Sequence, residues 1–363
     1  MKKRVFTLLL LPLSAMILLL VRSSSYVAEE IFAKRIYKVL SIVISSVTSI
    51  VPFSVAEMIL LVGPILILFF IVRLVIRIIR GKGMRKTYIL NFMLNVGCVI
   101  SLIVFGYIML CGVNYHRYSF SHYSGLVIED STEDELYGLC LDLTRRANDL
   151  REQITTVDEN GAMYTSVKAT KLAKEAKEAM NNLSKEYPIL SGYLAKPKGI
   201  LLSKYMSMTE TTGIYIPWTV EANVNVDIPS VDIPVTMCHE LAHLRGFMRE
   251  DEANYIAYLA CTTYDDIEIQ YSGVKLALSY SMNQLYRKNP DRYFEVAKQY
   301  GKGLVADVIA HDEYWSQFED TVVSTVSNKI NDTYLKVNDQ KDGTQSYGRM
   351  VDLLLAEYRK KQS

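Results

Sequence analysis

Pro234-Val-Thr-Met-Cys-His-Glu-Leu-Ala-His-Leu-Arg-Gly-Phe-Met-Arg-Glu-Asp-Glu-Ala-Asn-Tyr-Ile-Ala257 is the stretch that decides how the rest of this 363-residue chain is read. It holds two of the five histidines, His239 and His243, with Glu240 directly after the first. Residues four apart share one helix face, so both imidazoles can point at a single metal ion. Glu240 sits beside them, where a carboxylate can take a proton from a water. Local signals predict the helix. Asp232 is a candidate N-cap, Pro234 suits a first turn where its missing N–H would be unpaired anyway, and Gly246 is a natural stop.

A second helical pattern starts near Arg249, with Glu250, Asp251 and Glu252 in its first turn, where the helix dipole favours acids. A hydrolytic zinc site takes three protein ligands and leaves one position open. Glu250 and Asn254 lie on one face, while Glu252 is rotated roughly 200° from Glu250. Glu250 is therefore the expected third ligand, with Asn254 orienting a ligand histidine. Glu252 is the fallback. Cys238 adjoins His239 but points about 100° away on a helix, which suits a small buried core residue.

His239-Glu-Leu-Ala-His243 followed by Glu250-Asp-Glu-Ala-Asn-Tyr-Ile-Ala257 resembles the gluzincin pattern, H-E-x-x-H and then E-x-x-A-[D/N]-x-x-A. The first Glu of the second motif is the ligand in that superfamily, so the resemblance implies Glu250 over Glu252. The six residues between His243 and Glu250 are a shorter gap than most gluzincins have, which tightens the turn. The chain also resembles, nearly end to end, an uncharacterised bacterial family of membrane-anchored proteins with zinc-peptidase motifs. The likeness runs through Pro52-Phe-Ser54, Glu221-Ala-Asn-Val-Asn225, the metal motif and Ser346-Tyr-Gly348. It implies chemistry and topology but no substrate.

Charge is divided unevenly. Residues 1–112 carry 13 Lys/Arg against 3 Asp/Glu (13 − 3 = +10), and residues 113–363 carry 27 against 36 (27 − 36 = −9). An acidic globular part repels phosphates, which argues against nucleic-acid binding. Five cysteines, two of them (Cys98 and Cys111) in an apolar run, make no disulfide framework.

The first 112 residues read as a membrane region. Apolar runs at about 5–21, 58–79 and 88–113 are each long enough to cross a hydrocarbon core of roughly 30 Å. Lys2, Lys3 and Arg4 put the N-terminus in the cytoplasm, and Arg80, Lys82, Arg85 and Lys86 do the same for the loop between the second and third runs. The third run then delivers residues 113–363 to the extracytoplasmic side. Ile36–Val51 is too short to span and is expected as an interfacial or re-entrant segment; were it to span, a cytoplasmic protease would result.

Beyond the membrane region, Ser131-Thr-Glu-Asp-Glu135 marks a helix start. Leu136, Leu139, Cys140 and Leu143 follow it at helical spacing. A charged helical pattern covers 164–186. The clear β signals are Gly213–Trp218 and Ala222–Ile228, which alternate apolar and polar residues. The zincin resemblance implies that one of them, the first above all, holds substrate backbone by strand addition. A strand that only caps the core is the competing reading. The stabiliser of a developing oxyanion has three candidates, His311, Tyr334 and Tyr347. Tyr347 is favoured because it opens the last helix after a glycine-containing turn, and His311 is expected to pair with its neighbour Asp312. Asp339-Gln-Lys-Asp-Gly343 lacks the ligand spacing of a calcium loop and reads as a turn.

The expectation is a mainly α chain: three N-terminal transmembrane helices and an extracytoplasmic, zincin-like α+β metallopeptidase domain with a small β element. Zn²⁺ is the expected cofactor, the lipid bilayer one partner, and a peptide or protein substrate, cell-envelope material included, the other. Glu240 serves as general base and then general acid. The rival reading is a non-catalytic membrane receptor or scaffold stapled by a structural zinc, which does not need Glu240.

Overall fold

A computed structural model of the chain describes residues 2–81, 83–193 and 195–362, with Tyr347 described except for its side chain. The chain is mainly α-helical and divides into two compact units. One runs to Tyr118 and includes 216–221, and the other holds 119–215 and the rest after 221.

The first unit contains α1 (Lys2–Ser23), α2 (Lys38–Thr48), α3 (Val55–Arg80) and α4 (Arg85–Leu110). Among the described residues, three helical runs are long and apolar enough to cross a membrane: α1, α3 and Arg85–His116, which contains α4. Side chains such as Leu60, Ile67 and Phe69 stand exposed along α3, an apolar surface of the kind a membrane-crossing helix offers to lipid. Ile36–Val51, expected as an interfacial or re-entrant segment, falls mostly in α2. That helix continues without a break from the π-helical stretch Val27–Tyr37, which carries Glu29, Glu30, Lys34 and Arg35. Glu29 is fully buried and takes a two-pronged ion pair from Arg117, at 2.9 Å to Nε and 2.7 Å to Nη2. Two parallel charged hydrogen bonds are the geometry in which such a pair is strongest.

Helix α3 starts with two caps. Ser54 accepts from the Glu57 N–H at 3.0 Å, and the Glu221 carboxylate accepts from Val55 N at 3.0 Å and Ala56 N at 2.9 Å. A carboxylate at a helix N-terminus satisfies orphan donors and meets the positive end of the dipole. Two of the quoted motifs, Pro52-Phe-Ser54 and the one opening at Glu221, thus share a task.

The second unit contains α5 (Phe120–Ser124), α6 (Glu133–Glu152), α7 (Ala169–Glu186), α8 (Ser203–Met208), α9 (Ile233–Leu244), α10 (Glu250–Thr262), α11 (Ile267–Lys288), α12 (Pro290–Ala297), α13 (Lys302–Ser316), α14 (Val322–Val337) and α15 (Met350–Gln362). Thr132 and Glu135 form a capping box at the start of α6, and Leu136, Leu139, Cys140 and Leu143 are buried along it as their spacing predicts. Helix α9 packs against α7, α10 and α11, and α11 packs against α6. Every residue of α9 except His239 is buried, and of α10 only Thr262 is not. The two motif helices are the centre of this unit's core.

Three short strands form the sheet: β1 (Lys198–Gly199), β2 (Gly213–Ile216) and β3 (Glu221–Val224), in the order β1-β3-β2. Strand β1 runs parallel to β3, with Lys198 opposite Asn223. Strand β2 lies at the sheet edge and stops before Pro217, which has no N–H for a ladder.

Candidate metal centre

Helix α9 opens with Pro234 in its first turn, but Asp232 does not cap it as the sequence suggests. The Asp232 carboxylate turns sideways, to Lys275 Nζ at 3.0 Å and His311 Nδ1 at 2.7 Å. The Lys275 ammonium and the His311 ring together outcompete a backbone N–H for it. Burial alone would raise the Asp232 carboxyl, but Lys275 and then His311 hold it at about 2.

The other end of α9 is closed locally. Gly246 takes φ +84°, Gly246 N bonds His243 O at 2.8 Å, and Phe247 N bonds Ala242 O at 3.1 Å. This is a Schellman stop, which asks for glycine at the left-handed position. The reversal brings the Phe247 carbonyl back to His243 Nδ1 at 2.8 Å. With Nδ1–H donating there, Nε2 is the ring nitrogen that can offer a lone pair to a metal.

That nitrogen, His239 Nε2 and Glu250 Oε2 converge. Glu250 Oε2 lies 3.2 Å from His239 Nε2 and 3.6 Å from His243 Nε2. One donor atom from each residue falls within 4.8 Å of the others. Tetrahedral coordination with bonds of about 2.1 Å separates its ligand atoms by about 3.4 Å, so spacing and donor set fit zinc. Electrostatics agree. Burial opposes charge on both His243 and Glu250, yet each favours the other's charged form. Glu250 is held at about 2 and His243 is raised to about 9, so the centre favours positive charge.

Glu240 is 3% exposed, and its Oε2 has no hydrogen-bond partner among the described residues. Burial pushes its carboxyl up to about 7; His239 and His243 pull it down, and Glu250 adds to the rise. The backbone of β2 passes directly over it, since a Cβ at Gly213 would lie 2.5 Å from Glu240 Oε1. A glycine inside a strand pattern signals close backbone approach, so this contact left a trace in the sequence.

The remaining expected residues divide. Glu252, the fallback ligand, accepts from Phe120 N at 3.1 Å and lies 3.8 Å from Arg249 Nε, and the converging group does not include it. Asn254 makes no hydrogen bond to a ligand histidine. One turn beyond Glu250, it is directed at Tyr280 on α11, and its Nδ2 lacks a partner in good hydrogen-bond geometry. Burial pushes the Tyr280 hydroxyl up to about 12, with Asn254 opposing and Glu250 adding. Nothing in the sequence singled out Tyr280. His311 pairs with Asp232 instead of Asp312, and Tyr334 sits partly exposed on α14. Tyr347 lies in the 3-10 segment Gly343–Arg349, and its side chain is outside the described residues. Cys238 is buried, as expected, and is a free thiol.

The chain belongs to a family described as a protein of unknown function, DUF3810, whose profile matches residues 32–355. No curated protein and no solved structure matches it.

Proposed function

We propose that this chain is a membrane-anchored, zinc-dependent metallopeptidase with a zincin-like globular domain. The observation that carries the reading is the meeting of three convergent donor atoms with a buried carboxylate, Glu240, that has a free oxygen. A purely structural metal site has no use for that fourth group.

When bound, zinc supplies Lewis-acid polarisation of a carbonyl and acidifies a water. His239, His243 and Glu250 hold it. Glu240 takes the proton of the attacking water and returns it to the leaving nitrogen. Because β2 lies at the sheet edge and abuts Glu240, an extended substrate is positioned by adding a strand to it. A positive-inside arrangement of the three apolar helices puts this chemistry on the extracytoplasmic face.

The test uses the purified full chain in detergent, assayed for zinc content and for cleavage of a mixed peptide library. Glu240→Gln is expected to keep one zinc per chain and lose roughly 10²–10⁴-fold in turnover. Full activity in that variant overturns the mechanism. A zinc-loaded wild type that cleaves nothing leaves the receptor or scaffold reading in its place.

A further inference from the structure

The start of α10 is held from 90 residues away. Arg249 occupies its N-cap position in extended conformation (φ −80°, ψ 132°) and makes no side-chain cap bond. The first N–H groups of a helix have no partner within it, so something else must accept from them. Water is poorly placed to do so, because Glu250, Asp251 and Glu252 are only 7%, 6% and 3% exposed. Asp251 Oδ1 accepts from Glu252 N at 3.0 Å. The N–H of Glu250, the ligand itself, donates to Gln340 Oε1 at 3.3 Å.

Gln340 is suited to this. It is 2% exposed, and its own N–H is tied to Leu335 O at 3.0 Å, at the end of α14. The amide oxygen is an acceptor that a carboxyl group of the same length, kept protonated by burial and the three carboxylates of this helix start, also presents. We propose that Gln340 is a positioning residue for the metal centre: it caps the first turn of α10 and so fixes the backbone from which Glu250 reaches the two histidines. The idea rests on the metal-site reading. Its consequence is that zinc affinity depends on a residue that touches no ligand atom of the site.

The experiment measures zinc affinity by chelator competition on the full chain in detergent, for wild type, Gln340→Met and Gln340→Glu. Methionine keeps the shape and removes the acceptor, while glutamate keeps the acceptor. Supporting groups of this kind are worth about 10–100-fold in metal affinity. Gln340→Met is expected to weaken zinc by that factor and Gln340→Glu to stay within about threefold of wild type. Gln340→Met binding as tightly as wild type overturns the role, and so does an equal loss in both variants, which would mean packing and not capping. Should Gln340→Met fail to fold, Gln340→Asn, which withdraws the acceptor by one methylene, decides the matter: weakening supports the role and unchanged affinity overturns it. A wild type that binds no zinc overturns the metal-site reading itself.

Discussion

Helices α9 and α10 stand side by side in the same core and contribute to the same candidate metal centre, and their described ends are held by two different means. The C-terminus of α9 is closed by its own neighbours, Gly246 and Phe247. The N-termini of both helices depend on distant residues. Lys275 and His311 hold Asp232 at the head of α9, and Gln340 caps α10. The difference is between ends written in adjacent residues and ends written in the tertiary structure. It separates what holds a ligand's identity from what holds its position. Three measurements can break or sharpen that contrast.

The largest effect is expected at Asp232. Lys275 is 4% exposed, so removing its counter-charge strands a buried cation. Breaking a buried pair from one side costs about 3–5 kcal/mol. Asp232→Asn, which keeps the shape, is therefore expected to lower the unfolding free energy of the globular part by about that amount in a denaturant titration. A loss under about 1 kcal/mol, the value of an exposed pair, would mean that the head of α9 does not rely on its distant partners.

The same pair has a pH signature. The folded-state value of Asp232 lies below its ordinary 3.8, at about 2. A depressed carboxyl contributes stability that is fully present above the unfolded value and is lost as pH falls through the folded one. Between pH 4 and pH 2 the chain should thus lose about 2 kcal/mol through this group. Asp232→Asn should flatten that part of the stability curve. An unchanged acid limb would assign the acid sensitivity to other carboxylates.

What the sequence made legible follows the same division. The apolar helices α1, α3 and α4 were legible because each is a long run of apolar residues, a signal that needs no knowledge of tertiary partners. Only length and hydropathy are needed to find such segments. His239, Glu240 and His243 were legible because helical spacing alone puts them together, and Gly246 because the left-handed stop selects for glycine. Where Asn254 would point was not legible, because a shared helix face does not say which neighbouring helix it meets; it meets Tyr280 on α11. The partners of His311, Glu252 and Glu250 N lie 79, 132 and 90 residues away. Contacts over such separations leave no period in a single sequence. Gly213 is intermediate: a glycine in a strand hinted at a close approach, but not that Glu240 was what approached.

The smallest effect belongs to the locally closed end. Gly246 sits at φ +84°, where a side chain costs roughly 1–2 kcal/mol. Gly246→Ala should lower stability by about that much, less than Asp232→Asn. The relaxed turn should also carry the Phe247 carbonyl away from His243 Nδ1 and leave the ring's tautomer unset. Zinc affinity should then fall as well, within the roughly 10–100-fold of supporting groups. If Gly246→Ala costs stability alone and zinc binds as before, the turn is only a stop. If it costs both, the residue that ends α9 also aims its ligand, and at this end of the site local chain geometry does what Gln340 does from afar at the other.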